Sequence, residues 1–258
     1  MIERAFTDVV PNTGRSMCKP RRSGRTSVID MGLTLEDQEA HLRMAAAYID
    51  EAKIMTGTAS IYDVSYLRQK LTLYSDHDVS PFLGGFFLER VFTDSRFEGA
   101  KRYFDEACEL GIAAIEVSGT TLAIDVPDRV TLVELARERG LSVHGEIGSK
   151  HEGTGAQGLI AEAKAYIEAG ADVVIVEGAE LFHDGAPNED FCREVKASLK
   201  LEDIYFELGG PWVPGTYSWE VRALRKFLCE TFGSNVNLAN IPLETIIETE
   251  TFRWNLGE

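Results

Sequence analysis

The sequence has no surplus of positive charge. Its 26 lysines and arginines face 42 aspartates and glutamates, a formal net charge of −16. A nucleic-acid binder needs a basic footprint to release counterions, and docking on an anionic membrane needs the same, so neither partner is expected. A small anionic substrate stays open, because local pocket charge can oppose the global sign. Cysteine is scarce too: Cys18, Cys108, Cys192 and Cys229 are the only four, none in CxxC spacing. That argues against a zinc site or a disulfide framework and for buried, reduced thiols in a cytoplasmic protein. No apolar run reaches the roughly 20 residues of a membrane span, and the N-terminus has no apolar signal core, so no export signal is expected. No GxGxxG follows the first strand, which removes the dinucleotide-binding version of an open α/β sheet. No Ser/His/Asp or Cys/His arrangement stands in a recognisable local context, so nucleophilic hydrolysis is not expected.

What is present is a rhythm. Short apolar or β-branched runs recur about every 30 residues: 27–30, 48–53, 79–84, 113–118, 142–148, 172–178, 203–208 and 235–241. The central ones, such as "DVVIVEG", are continuously apolar, as in parallel strands buried on both faces. Amphipathic stretches lie between them: Leu35–Ala47 after a Thr34 cap with Asp37 at the capping-box position, Phe97–Leu110 before Gly111, Val130–Arg139 before Gly140, and Leu159–Ala169 before Gly170. Glycine just past a helix supplies the left-handed residue that closes it. Eight strands with intervening helices predict an α/β fold of one domain, a (β/α)8 TIM barrel over residues 25–258. Residues 1–24, with Lys19, Arg21 and Arg22, are expected to form a basic tail, mostly a solvated arm.

In this fold the site lies where strands run into the following loops. The polar residues at those ends are Asp30, Lys53, Glu116, Glu146, Glu177 and Glu207. The four glutamates are spaced 30, 31 and 30 residues apart, so they should converge on one mouth. Several carboxylates in one concavity repel one another and resist ionisation. A hard divalent cation such as Mg²⁺ offsets that with oxygen ligands, and Lys53 and Lys150 are candidates to assist. For one glutamate alone, a structural ion pair is as good a reading. For the set, the cost of burying charge favours a task. Gly57-Thr58 and Gly84-Gly85 each follow a strand and could offer backbone N–H groups to an anion. His144, inside the fifth strand, is the only histidine expected near the site. The loop "GGPWVPGTYSW" after the seventh strand is expected to carry Trp212, Tyr217 and Trp219 to the mouth.

These segments together resemble the phosphosulfolactate synthase family of coenzyme M biosynthesis, from about Arg22 to Leu256. The matching pieces are "VIDMGL" (28–33), "YIDEAK" (48–53), "GT" (57–58), "LGG" (83–85), "IEVS" (115–118), "EIGSK" (146–150), "VEG" (176–178), "VNLANI" (236–241) and "ETFR" (250–253). The resemblance implies a (β/α)8 barrel, often a homo-oligomer, that uses Mg²⁺ to add sulfite to C3 of phosphoenolpyruvate, a carbon–sulfur lyase in type. It places the family's catalytic lysine on Lys150 and a second lysine, which could orient the anion, on Lys53; Asp30 and Glu146 also match. The chain departs from the family pattern at Met31, Phe86, Ser149 and Ala179, where cations or a hydroxyl stand in the family, and in its "RWNLGE" end. Such groups are the types that hold phosphate, while the carboxylates and the proton donor are kept. Phe86, Trp212 and Asn240 would then line the substrate site. Two alternatives follow: a divergent enzyme acting on an unphosphorylated carboxylate, or a barrel without catalysis, as in a stress-related plant member of the broad family.

Overall fold

A computed structural model describes residues 5–10, 12–148, 155–183, 185–210, 213 and 216–258. Eight strands form the centre: β1 (Thr26–Asp30), β2 (Glu51–Ile54), β3 (Ser80–Leu83), β4 (Ala114–Val117), β5 (Ser142–Ile147), β6 (Val173–Val176), β7 (Ile204–Glu207) and β8 (Leu238–Pro242). Every neighbouring pair is parallel, and the sheet closes on itself in the order β1-β8-β7-β6-β5-β4-β3-β2. Each of the eight expected runs overlaps one of these strands, and the fold is a single (β/α)8 barrel.

The period of two along each strand sorts side chains between two cores. Val28, Ala52, Ile54, Ile115, Val143, Val174 and Phe206 face outward into the layer shared with the helices. Val173, Ile175, Tyr205 and Ala239 form a separate cluster inside the barrel. Burying one such valine or isoleucine contributes about 1.5–3 kcal/mol, so β-branched runs covered on both faces hold the barrel shut.

The surrounding helices are α1 (Leu35–Ala45), α2 (Val64–Asp76), α3 (Gly85–Leu110), α4 (Val126–Glu138), α5 (Ala156–Glu168), the short α6 (Gly178–Leu181), α7 (Glu189–Ser198), α8 (Ser218–Phe232) and α9 (Ile246–Arg253). Thr34 caps α1 by accepting from the Asp37 N–H, as its spacing predicts. The helix expected from Phe97 begins twelve residues earlier, at Gly85, with a break at Arg96 (φ 49°). Among the described residues, no helix is long and apolar enough to cross a membrane.

The expected solvated arm is, in its second half, a packed closure. Arg15 grips Glu250 through Nε and Nη2 at 3.0 and 2.8 Å and donates to the Gly24 carbonyl. Arg21 spans both oxygens of Asp50 at 2.9 Å. Both arginine side chains are fully buried, so these two basic residues serve ion pairs beneath the barrel. The thiols divide: Cys192 and Cys229 are buried as expected, whereas Cys18 and Cys108 are exposed.

Candidate active site

Alternation turns Lys53, Glu116, Glu146 and Glu207 into the barrel from the last turns of β2, β4, β5 and β7. Because the strands tilt, Glu116 lies opposite His144 in the ladder, Glu146 opposite Ile175 and Glu207 opposite Ala239, yet all reach the same end. Glu177 joins them from the residue after β6. Its approach to Glu207 depends on Gly178, where a Cβ would come 2.7 Å from the Gly209 nitrogen and 2.9 Å from the Glu207 carbonyl.

At the centre is the Lys53 ammonium, 2.8 Å from Glu116 Oε2 and 2.8 Å from Glu207 Oε2. All three residues are at most 5% exposed. Burial acts to lower the Lys53 pKa, but Glu116, Glu207 and Glu146 overcome it and hold the ammonium well above its ordinary value. Glu207 goes the other way from a normal carboxylate: burial pushes it up to about 7, with Lys53 opposing and Glu146 and Glu116 adding to the rise. Among the described residues, four buried glutamates thus stand against one lysine, and this part of the site is short of positive charge.

Glu146, Glu177 and Glu207 can each bring a carboxylate oxygen within 4.8 Å of the others. Ligand distances of about 2.1 Å put the oxygens of one Mg²⁺ shell roughly 3–4 Å apart. The trio therefore fits a hard divalent cation after a small contraction, or with one carboxylate reached through water. Glu116, expected in the same set, is drawn out of it. Its Oε2 meets Lys53 and its Oε1 accepts from the Gly85 N–H at 2.8 Å, so it ties β2 to the start of α3. Gly85 has to be glycine, because a Cβ would sit 2.2 Å from Ser118 Oγ and 2.9 Å from Glu116 Oε1.

A cavity of about 50 Å³ opens above this cluster, lined among others by Lys53, Thr56, Gly84, Gly85, Phe86, Glu89, Thr120, Glu146, Glu207 and Asn240. Phe86 stands at its rim, 38% exposed. Of the other expected residues, Gly57 and Thr58 do not line it; the Thr58 hydroxyl donates to the Met55 carbonyl instead. Asp30 does not join the cluster. On β1 it is Ile29 that lines the cavity, so Asp30 points to the helices. There Tyr74 and Lys70 contact its Oδ2 at 2.8 Å, and the Gly32 and Leu33 N–H groups donate to its Oδ1. His144 lies a layer below the site, against Glu51 at 3.5 Å and edge-on to Phe82. Tyr217 and Trp219 are about three-fifths exposed and are not part of the cavity lining. Lys150, Ser149 and Trp212 lie outside the described residues.

The sequence reading missed Glu89. It is 1% exposed on the second turn of α3 and accepts from Ser118 Oγ at 2.5 Å, from the Thr120 N–H at 3.1 Å and from the Leu122 N–H at 2.7 Å. Thr120 in turn donates to Glu146 at 3.3 Å. One carboxylate on a helix thus fixes the loop after β4, and that loop touches the acidic trio. The signal that could have found it is the i, i+4 step from Gly85, visible only once α3 is known to begin there.

The chain is similar to known proteins over most of its length. The profile of the (2R)-phospho-3-sulfolactate synthase (ComA) family matches residues 14–258. Phosphosulfolactate synthase of Methanocaldococcus jannaschii is 29% identical over 244 residues, covering 90% of this chain and 92% of the relative. That of Bacillus subtilis is 28% identical over 244 residues, with 92% of each chain covered. Among solved structures, a phosphonopyruvate hydrolase complex with oxalate and Mg²⁺ superposes with a TM-score of 0.53 at 14% identity, over 86% of this chain and 77% of that one. A 2,3-dimethylmalate lyase gives a TM-score of 0.51 at 14% identity, over 87% and 77%; at such identities these two speak for the barrel alone. With its profile match running over nearly the whole length, the chain belongs to the (2R)-phospho-3-sulfolactate synthase family.

Proposed function

We propose that this protein is a lyase of the phosphosulfolactate synthase kind, which adds sulfite or a related nucleophile to C3 of phosphoenolpyruvate or a similar unsaturated carboxylate. The observation that carries the reading is the buried trio Glu146, Glu177 and Glu207, its oxygens within 4.8 Å at the barrel mouth, in a chain of this family. These three residues would hold Mg²⁺. When bound, the ion would supply Lewis-acid stabilisation of charge on the substrate carboxylate.

The protein's own groups divide the remaining work. Sulfite is already nucleophilic and needs no base. Its sulfur forms a bond to C3 while the C2–C3 π pair moves toward the carboxylate, and a proton delivered to C2 completes the addition. In this reading Lys150 delivers that proton. Lys53 holds Glu116 and Glu207 at 2.8 Å and so fixes two walls of the site. The start of α3 at Gly84-Gly85 forms a third wall, and the positive end of its dipole favours an anionic group there.

A second reading, an unphosphorylated carboxylate as substrate, has its own support. Among the described residues that line the cavity, Lys53 is the only cation, and its two 2.8 Å partners are both carboxylates. Phe86 adds a ring at the rim. Turnover separates the two readings. Sulfite consumption is followed with phosphoenolpyruvate and, separately, with unphosphorylated α,β-unsaturated carboxylates, each with and without Mg²⁺. Mg²⁺-dependent turnover of phosphoenolpyruvate that is lost in Lys150→Ala supports the first reading. Turnover of the unphosphorylated acids alone supports the second. No sulfite consumption with any of them sinks both.

A further inference from the structure

We propose that Asn240 is a further oxygen donor to the cation of this site, alongside Glu146, Glu177 and Glu207; the inference rests on the cation reading above. Three features of β8 point to it. The first is the register. Thr26 pairs with Leu238 and Val28 with Ile241, so β8 carries one more residue than β1 over the same ladder. An extra residue in a strand is a bulge, and a bulge re-aims a side chain.

The second is the backbone. Asn240 has φ +57°, the left-handed region, which asparagine tolerates better than most residues but which an extended strand does not otherwise use. Leu238 and Ile241 both face the helices, while Ala239 faces the barrel interior. The left-handed turn lets Asn240 face inward as well, directly after the residue that pairs with Glu207.

The third is the amide itself. Asn240 lines the cavity that Glu146 and Glu207 line. It is only 3% exposed, and among the described residues its Oδ1 has no hydrogen-bond partner. A buried carbonyl oxygen left without a partner is unfavourable, and in a cavity shared with the Glu146 and Glu207 carboxylates it needs a ligand that attracts both kinds of oxygen. An anion is repelled by that combination of oxygens. A hard cation is attracted to all four, since side-chain amide oxygens and carboxylates are both ordinary ligands of such ions. A neutral donor also adds a contact without adding to the mutual repulsion of the glutamates.

The test is calorimetric titration of MgCl₂ into metal-stripped protein, compared for wild type, Asn240→Gly and Asn240→Asp, with melting curves of each without metal. Glycine adopts φ +57° freely, so Asn240→Gly should melt no lower than wild type while its Mg²⁺ dissociation constant rises by about tenfold or more. Asn240→Asp keeps an oxygen in place and should bind Mg²⁺ at least as tightly as wild type. Wild-type affinity in Asn240→Gly overturns the inference and leaves the glutamate site standing. Weak binding by Asn240→Asp, equal to that of Asn240→Gly, also overturns it, because the amide N–H would then be the group that matters. No Mg²⁺ binding by wild type removes the cation reading itself, and this inference with it.

Discussion

Lys53→Met should be among the most damaging single changes in the molecule, and the damage should depend on pH. The side chains have similar length, so packing changes little. What is lost is an ammonium lying 2.8 Å from each of two buried carboxylates. Removing one partner of a buried ion pair costs about 3–5 kcal/mol, because the other charge stays buried without compensation. At roughly 2–4 °C per kcal/mol for a domain near this size, the midpoint should fall by about 6–20 °C. Glu207 fixes the sign of the pH effect. Its pKa in the fold, about 7, lies above its ordinary value. The stability that comes with its neutral form is therefore complete below the ordinary carboxylate range and is lost as pH rises through about 7. Without Lys53, which holds that pKa down, the loss should be deeper. The deficit of the variant should be smaller near about pH 5 and larger near about pH 8. The assay is thermal unfolding followed by circular dichroism on metal-stripped protein at both pH values. Midpoints equal to wild type at both would refute the description of the site as a charge-deficient buried cluster.

Other outcomes follow from the same geometry. Gly85→Ala forces a methyl group against Ser118 and Glu116 and should cost about 1–3 kcal/mol by overpacking, read as a lower urea midpoint; an unchanged midpoint would mean that α3 and the β4 loop are not in close contact. Glu89→Ala should release the loop after β4, so that the Thr120 and Leu122 amides, which donate to Glu89, exchange hydrogen faster while amides of β5 and β6 do not. Arg21→Ala removes the Nη1 that donates to both oxygens of the mostly buried Asp50 and should destabilise by about 3–5 kcal/mol, whereas Arg22→Ala on the exposed neighbour should stay within about 0.5 kcal/mol; equal effects would mean that the N-terminal segment does not close the barrel.

The barrel is legible in the sequence because its cause is local. A short apolar run with a polar exit repeats eight times, and Gly111, Gly140 and Gly170 mark where three of the intervening helices close. The four glutamates and Lys53 are legible for the same reason: strand ends in this fold share one mouth. Asp30 shows the limit. In a strand buried on both faces the apolar pattern does not say which residues point in, and only the structure shows Ile29 inside and Asp30 held by Lys70 and Tyr74. Glu116 could not be told from its three equivalents, because its separation from them depends on a backbone N–H at Gly85. The start of α3 was hidden because "LGGFFLER" opens with glycines and aromatic residues that read equally as loop or strand. The packed N-terminal segment was hidden because the Arg15–Glu250 pair joins residues 235 positions apart.

The cation site proposed for Glu146, Glu177 and Glu207 at the barrel mouth can be seen directly. Its most direct test is a crystal grown with Mn²⁺ in place of Mg²⁺ and measured for anomalous scattering. One anomalous peak should lie among the three carboxylates, with the Asn240 amide oxygen in its coordination shell. Density with no peak there, at a Mn²⁺ concentration that supports full activity, would contradict the proposal.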